Sequence, residues 1–355
     1  MNSQDPAKLE EEGSTATLDA EAQAQKEIEE AAAELQRRMD AWMSDIVDDR
    51  WEMILAAHCT SASYHRRRSM VPDYHPRGAA RSWSNGARIE RFRTSYLQGT
   101  GITHHGIAAR APWGTEEGPV ATSNEDAFCL MPKHGVFVVA DGVGGSAAGA
   151  YASHVVVDAI TRRSGALIDG VVAANSFLSQ HRFSAQSTVA GAEITPDGEL
   201  YPFWVGDSRI LVLDERGNLC FRSHDHGIRE IRDNIEMQEV LDLPDRNIVT
   251  QSVGYAYAPL RTSLDTNPED FFVQLRPGYT VLLLTDGILD SMNSYDVAAF
   301  LQDHSYVPVD RRAEFLAIEI HERMMRAQFP EYGALGGTVA KKIDNFTVVM
   351  VRYGG

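Results

Sequence analysis

Cysteine is scarce and scattered: Cys59, Cys129 and Cys220 are the only three in 355 residues. An odd number with no CxxC pair excludes a disulfide framework and a zinc knuckle. It suits a reducing compartment, so a cytoplasmic location is expected. No run reaches the ~18 consecutive apolar residues of a membrane helix, so no membrane partner is expected. The acidic start MNSQDPAKLEEEG lacks the apolar stretch of a secretory signal. Positive charge is also short, with 33 Lys and Arg against 50 Asp and Glu and a net charge of −17. Such a surface repels phosphate backbones, which argues against nucleic acid as the main partner. It suits divalent cations or basic partner segments. Apolar residues are plentiful: 43% of the chain is hydrophobic and 23% charged, which supports a full core and excludes wholesale disorder.

The charge divides the chain into zones. Residues 1–50 carry 14 acids and 5 bases, whereas residues 51–100 carry 8 arginines, no lysine and 3 acids. The first zone, 1–55, is an acidic helical extension rich in Ala, Glu, Gln and Lys, with the helix expected from about Leu18 to Leu55. Ile28, Ala32, Leu35, Met39, Trp42 and Ile46 form an apolar seam at alternating spacings of four and three. That seam fits a helix packed on the main domain, a self-associating coiled coil, or a partner-binding helix. The second zone, 56–101, mixes Arg, Ser, Pro and Gly without clear periodicity and reads as a linker or ordered wrap. Within it, His65-Arg66-Arg67-Arg68-Ser69 reads as a solvated basic loop, a basophilic kinase site or a weak targeting patch.

The remainder, 102–355, reads as mixed α and β. Strand-like runs occur at Gly135–Ala140, Ser187–Ile194, Leu200–Val205, Arg209–Leu213, Leu219–Arg222, Phe271–Leu275, Thr280–Thr285 and Phe346–Tyr353. Asp214-Glu-Arg-Gly-Asn218 marks a hairpin turn. Helical patterns occupy Ala147–Arg163 and the stretches near 295–303 and 311–327. Strands follow one another instead of alternating with helices, which predicts an α+β fold with antiparallel sheets.

Five acidic spots share one context. Glu125-Asp126 precedes an apolar run at Ala127–Leu130, Asp141 ends Val136–Ala140, and Asp207 follows Phe203–Val205. Asp286 follows Val281–Leu284, and Asp344 precedes Phe346–Val351. A carboxylate at an apolar strand end is costly unless compensated. Few bases adjoin these acids, Arg209 and the Lys341-Lys342 pair excepted. An oxygen-only set short of balancing cations suits a hard divalent ion, Mg²⁺ or Mn²⁺.

Asn124-Glu125-Asp126-Ala127, Val139-Ala140-Asp141-Gly142-Val143-Gly144-Gly145, Gly206-Asp207-Ser208-Arg209, Thr285-Asp286-Gly287-Ile288-Leu289-Asp290 and Asp344-Asn345-Phe346-Thr347 occur in that order. In this the chain resembles the metal-dependent protein serine/threonine phosphatases of the PPM, phosphatase 2C-like family. Ser187-Thr188-Val189-Ala190 and Val249–Gly254 resemble weaker blocks of that family. The resemblance covers about 102–353 and implies a PPM-type phosphatase domain over 102–355. Its fold would be a four-layer αββα sandwich, two antiparallel sheets face to face with helices outside. It implies two ions, with Asp141 bridging them, Asp286 and Asp344 as further ligands, and the Gly142 carbonyl on one of them. Glu125 and Asp126 would hold metal-bound waters, and Asp207 with Asp286 matches the position of a third, weaker ion. The implied activity is hydrolysis of phosphoserine and phosphothreonine in phosphoprotein substrates by a hydroxide bridging two divalent cations.

Two positions depart from the family pattern. Ala121 stands where an arginine commonly grips the substrate phosphate, leaving Arg110 as a candidate replacement. Val143 stands where some members carry a histidine that protonates the leaving group. A catalytically weak scaffold or sensor of the same fold is therefore the alternative. Gly142-Val-Gly144-Gly-Ser-Ala147 also fits the glycine turn of a dinucleotide fold, although Asp141 would set a carboxylate beside a pyrophosphate. His104-His105, His224 and His226 have no ligand set around them in the sequence and read as core or surface histidines. The charged segment His226–Ile248 falls where the family varies a flap beside the active site.

Overall fold

A computed structural model describes residues 87–106, 124–143, 147–163, 165–180, 185–226, 249–255, 272–328 and 343–354. All of them belong to the second, His65–Gly355, of the two units into which the chain divides. The helix expected at Leu18–Leu55 and its docking or self-association lie outside the described residues. So do the His65–Ser69 patch, Arg110, Ala121, Lys341-Lys342 and the segment 227–248.

Thirteen strands form among the described residues. They are β1 (Ala87–Arg93), β2 (Leu97–His104), β3 (Ala127–Met131), β4 (Val136–Ala140), β5 (Gly142–Val143), β6 (Gln186–Ser187) and β7 (Val189–Ile194). They continue with β8 (Glu199–Val205), β9 (Arg209–Leu213), β10 (Leu219–Arg222), β11 (Val273–Gln274), β12 (Thr280–Leu284) and β13 (Phe346–Tyr353). The helices are α1 (Ala147–Arg162), α2 (Leu167–Ser179), α3 (Asp286–Leu289), α4 (Ser294–Asp303) and α5 (Val309–Gln328). One sheet runs β1-β2-β13-β12-β9-β10, a second runs β11-β8-β7-β4-β3, and β5 pairs with β6. Every pairing among these strands is antiparallel. The expected α+β architecture of two antiparallel sheets flanked by helices is therefore present. The dinucleotide reading fails, because β4 lies between two antiparallel neighbours, β3 and β7, where that fold needs a parallel crossover.

Side-chain alternation sorts the six-stranded sheet's residues into two cores. Ile210, Val212, Val281, Leu283, Val349 and Val351 share one cluster with Phe128, Phe137, Val139 and Ala190 of the other sheet. Their neighbours Leu211, Leu282, Leu284, Val348 and Met350 join Leu301, Leu316, Ile320 and Met324 of α4 and α5. Strands buried on both faces carry no polar alternation, so they read as continuous apolar runs. Each such side chain contributes about 1.5–3 kcal/mol relative to exposure. On the five-stranded sheet, Leu167 of α2 covers Gly191 of β7, and α1 packs on α2 where Ile160 meets Gly170.

Several elements differ from expectation. Residues 87–101, read from sequence as the end of a linker or wrap, are strands that extend the sheet beside β13. β2 hides its character because two of its residues are glycines. A Cβ at Gly101 would stand 2.6 Å from the Phe128 ring, so the space a side chain would take is filled from the opposite sheet. Helix α2 was not expected; its Gly170, Val171, Val172, Asn175 and Ser176 are weak helix formers, and the Ile160 contact at Gly170 explains the glycine. The single strand expected over Ser187–Ile194 is split at Thr188, whose N–H donates to the Asp141 carbonyl at 2.8 Å. The hairpin turn at Asp214–Asn218 is present, with the Asp214 carboxylate accepting from the Arg216 and Asn218 amides. No helix among the described residues is long and apolar enough to cross a membrane.

Candidate metal centre

Strand register decides which acids meet. In the five-stranded sheet Ala127 faces Ala140, Val139 faces Ala190, and Val189 faces Val205. The residues just beyond these pairs, Asp126, Asp141 and Asp207, therefore emerge at one sheet end. In the six-stranded sheet Leu284 faces Val348 on one side and Arg209 on the other, so Asp286 and Asp344 share an end as well. The two ends are joined by side chains. The Thr285 and Thr347 hydroxyls both donate to Asp126 Oδ2, at 2.8 and 2.7 Å.

The backbone around the acids is pinned by residues that sequence patterns did not single out. Asn345 Oδ1 accepts the Glu125 N–H at 2.8 Å, and its amide donates to the His105 carbonyl at 2.9 Å. Its own N–H donates to Asp344 Oδ1 at 2.8 Å. One side chain thus ties the Glu125-Asp126 turn to the Asp344 turn. The Glu125 carbonyl accepts from Ser153 Oγ at 2.5 Å and from the Gly142 N–H at 3.2 Å. The Asp141 carbonyl accepts from Ser187 Oγ at 2.8 Å. Gly142 is required by a close approach, since a Cβ there would collide with the Gly149 backbone of α1. Gly149 in turn leaves room for the Glu125 carboxylate, whose Oε2 would lie 2.6 Å from an added Cβ.

The electrostatics follow from this assembly. Burial, and then the charges of Asp286, Asp126, Asp207 and Asp344, push the Asp141 carboxyl well above its ordinary value. Burial, with Asp286, Asp225 and Asp290, does the same to Asp207. Burial raises Asp126 to about 7 against the opposing pull of its two hydroxyl donors, with Asp286 and Asp344 adding to the rise. The leading charges on these groups are all negative. Arg209, the base next to the Asp207 turn in sequence, grips a different carboxylate. It is fully buried, forks onto both oxygens of Asp225, and donates to Ser294 Oγ at 3.1 Å.

The structure brings Asp126, Asp207, Asp286 and Asp344 into electrostatic range of Asp141. Glu125 and Gly142 lie within the same network. No three His, Cys, Asp or Glu side chains among the described residues close to the spacing of a complete metal shell. The donor set is all oxygen, and Asp126 Oδ1 is buried with no hydrogen-bond partner among the described residues, so the residues present fit a hard divalent cation. Val143, which the sequence places in a glycine turn, lies in the short strand β5. His104 is a core residue stacked on Phe346, with His321 edge-on at 4.9 Å.

Sequence reasoning missed Thr103, Thr285, Thr347, Asn345, Ser153, Ser187 and Asp225 as site residues. Thr285, Thr347, Asn345 and Ser187 lie inside the quoted blocks, so adjacency to the acids was the signal to be found. Asp225 carries no such mark; only the fold reveals its pairing with Arg209. The serine/threonine phosphatase PstP/Ppp of Mycobacterium tuberculosis is similar in structure, with TM-score 0.54, 21% identity, and coverage of 73% of this chain and 100% of that one. So is MsPP of Mycobacterium smegmatis, described as a PPM Ser-Thr phosphatase in complex with cacodylate, with TM-score 0.51, 20% identity, and coverage of 74% and 100%. A PstP catalytic domain in complex with two manganese ions matches at TM-score 0.51 and 20% identity, covering 73% of this chain and 99% of that one. No family model and no curated protein matches the sequence. The chain has the fold of the PPM-type phosphatases.

Proposed function

We propose that this protein is a metal-dependent phosphatase acting on phosphoserine and phosphothreonine in proteins. The observation that carries the reading is the meeting of five aspartates from both sheets at one end of the sandwich, with the leading charges acting on Asp126, Asp141 and Asp207 all negative. A fold keeps such repulsion only where something positive offsets it. Two Mg²⁺ or Mn²⁺ ions would be held by Asp141, Asp286, Asp344 and the Gly142 carbonyl. A third, weaker ion would sit by Asp207 and Asp286. When bound, the cations supply a nucleophilic water of lowered pKa and screen the phosphoryl charge.

The chain's own residues do the rest. Glu125 and Asp126 orient water at the cluster, Glu125 against Gly149 and Asp126 through its unpartnered Oδ1. Asn345 fixes the distance between their turn and the Asp344 turn. With valine at position 143, solvent water protonates the leaving alcohol. Arg110 remains the candidate phosphate-gripping residue. That one solved relative of this fold was obtained with two manganese ions supports the choice of metal.

The test is phosphate release from a phosphothreonine peptide in Mn²⁺, in Mg²⁺ and in chelator, with Asp141→Asn alongside. Release that needs metal and falls at least a hundredfold in Asp141→Asn is expected, since the variant removes the shared ligand. Equal rates in both proteins refute the reading. Tight Mn²⁺ binding without turnover on any phosphoprotein converts it to the scaffold alternative.

A further inference from the structure

A closed circuit of hydrogen bonds surrounds Asp126. Its N–H donates to Asn124 Oδ1 at 3.1 Å, and Asn124 Nδ2 donates to Thr103 Oγ1 at 2.8 Å. The Thr103 and Thr347 hydroxyls bond each other at 2.8 Å, and Thr347 reaches Asp126 Oδ2 at 2.7 Å. Thr347 has one hydroxyl proton and gives it to the carboxylate, so Thr103 is the donor within the threonine pair. Thr285 supplies the second donor to the same oxygen, and its own Oγ1 accepts the Thr347 N–H at 2.8 Å. Among the described residues both donors to the carboxylate converge on Oδ2, and Oδ1 has none. Thr103 and Thr347 lie on β2 and β13 and Thr285 follows β12, whereas Asn124 and Asp126 precede β3. The circuit therefore crosses from one sheet to the other.

We propose that Thr285 and Thr347 are positioning residues that clamp one oxygen of Asp126 and so present the other, Oδ1, to the cation site. A carboxylate on a single bond is free to swing about that bond. Two convergent donors from a second sheet remove this freedom, and the bond from the Asp126 N–H to Asn124 holds the backbone from which the side chain springs. The threonines touch neither substrate nor metal; they act through Asp126. Outer partners of this kind typically set metal affinity by 10–100-fold. The assignment rests on the metal-dependent reading above.

The experiment compares the whole protein with Thr347→Val, Thr347→Ser and Thr285→Ser. Valine keeps the shape of threonine and removes the donor; serine keeps the donor. Mn²⁺ isotherms are measured by calorimetry, melting temperatures in chelator, and kcat and KM on a phosphothreonine peptide. Thr347→Val is expected to bind Mn²⁺ at least tenfold more weakly and to lose kcat with little change in KM, while both serine variants stay within about threefold of the original. A valine variant that melts lower in chelator but binds Mn²⁺ like the original overturns the proposal, as this is what a purely structural threonine does. Equal losses in the valine and serine variants at position 347 overturn it too. If Thr347→Val does not fold, a tenfold weaker Mn²⁺ affinity in Thr285→Ser overturns it, since that variant retains the donor. Absence of Mn²⁺ uptake by the original protein defeats the metal-dependent reading and this inference together, whereas uptake unchanged by the variants defeats this inference alone.

Discussion

Without metal, Asp126 is a liability whose size can be worked out. Its carboxyl is pushed from an ordinary 3.8 to about 7, mainly by burial and then by Asp286 and Asp344. Because the folded-state value is the higher one, the folded protein holds its proton where the unfolded chain has released it. Stability from this group is full below pH 3.8 and is lost as pH rises through 7. A shift of about three units corresponds to about 4 kcal/mol lost by pH 8, and to less than about 2 kcal/mol at pH 5. Asp126→Asn removes the charge and keeps an oxygen to accept from Thr285 and Thr347. In chelator it is expected to be more stable than the original protein by about 4 kcal/mol at pH 8, with a much smaller gain at pH 5. Saturating Mn²⁺ should narrow or reverse the order, since a ligand at a hundred times its Kd stabilises the protein that binds it by about 2.7 kcal/mol. Urea denaturation at the two pH values, with and without Mn²⁺, reads all four quantities. A gain equal at pH 5 and pH 8 would refute the electrostatic reasoning, as would no gain at pH 8.

Two further predictions concern His321 and Arg209. Burial lowers the His321 imidazole to about 4, so it stays neutral in the fold. Its folded-state value is the depressed one: no cost exists above 6.5, and about 3 kcal/mol is lost as pH falls from 6.5 to 4. His321→Leu should remove that slope, seen as a stability difference between the two proteins that changes between pH 7 and pH 4.5; a pH-independent difference would disprove it. Arg209→Met should cost about 3–5 kcal/mol, because it strands the Asp225 carboxylate that the buried guanidinium now grips. The double variant Arg209→Met with Asp225→Leu should recover much of this in thermal melts, and no recovery would show that the pair is not what Arg209 supports.

The fold class was legible because the strands announce themselves. Runs such as Val136–Ala140 and Thr280–Leu284 are buried on both faces and have no polar positions to disguise them. Strand β2 was illegible for the opposite reason. Its glycines and threonines carry weak propensity, and only the ring of Phe128 from the other sheet explains why Gly101 is there. Helix α2 escaped notice because packing against Ile160, not propensity, holds it.

The acids themselves were readable, since a carboxylate at the end of an apolar run is costly wherever the chain goes. The sequence alone therefore determined the donor chemistry: oxygens, in excess over nearby cations, at strand ends. Tertiary structure alone decided which of them meet and how each is held. Asp126 and its clamps Thr285 and Thr347 are separated by 159 and 221 positions in the chain. Hydrogen bonds act over about 3 Å, and no local pattern encodes a contact that antiparallel register must first create.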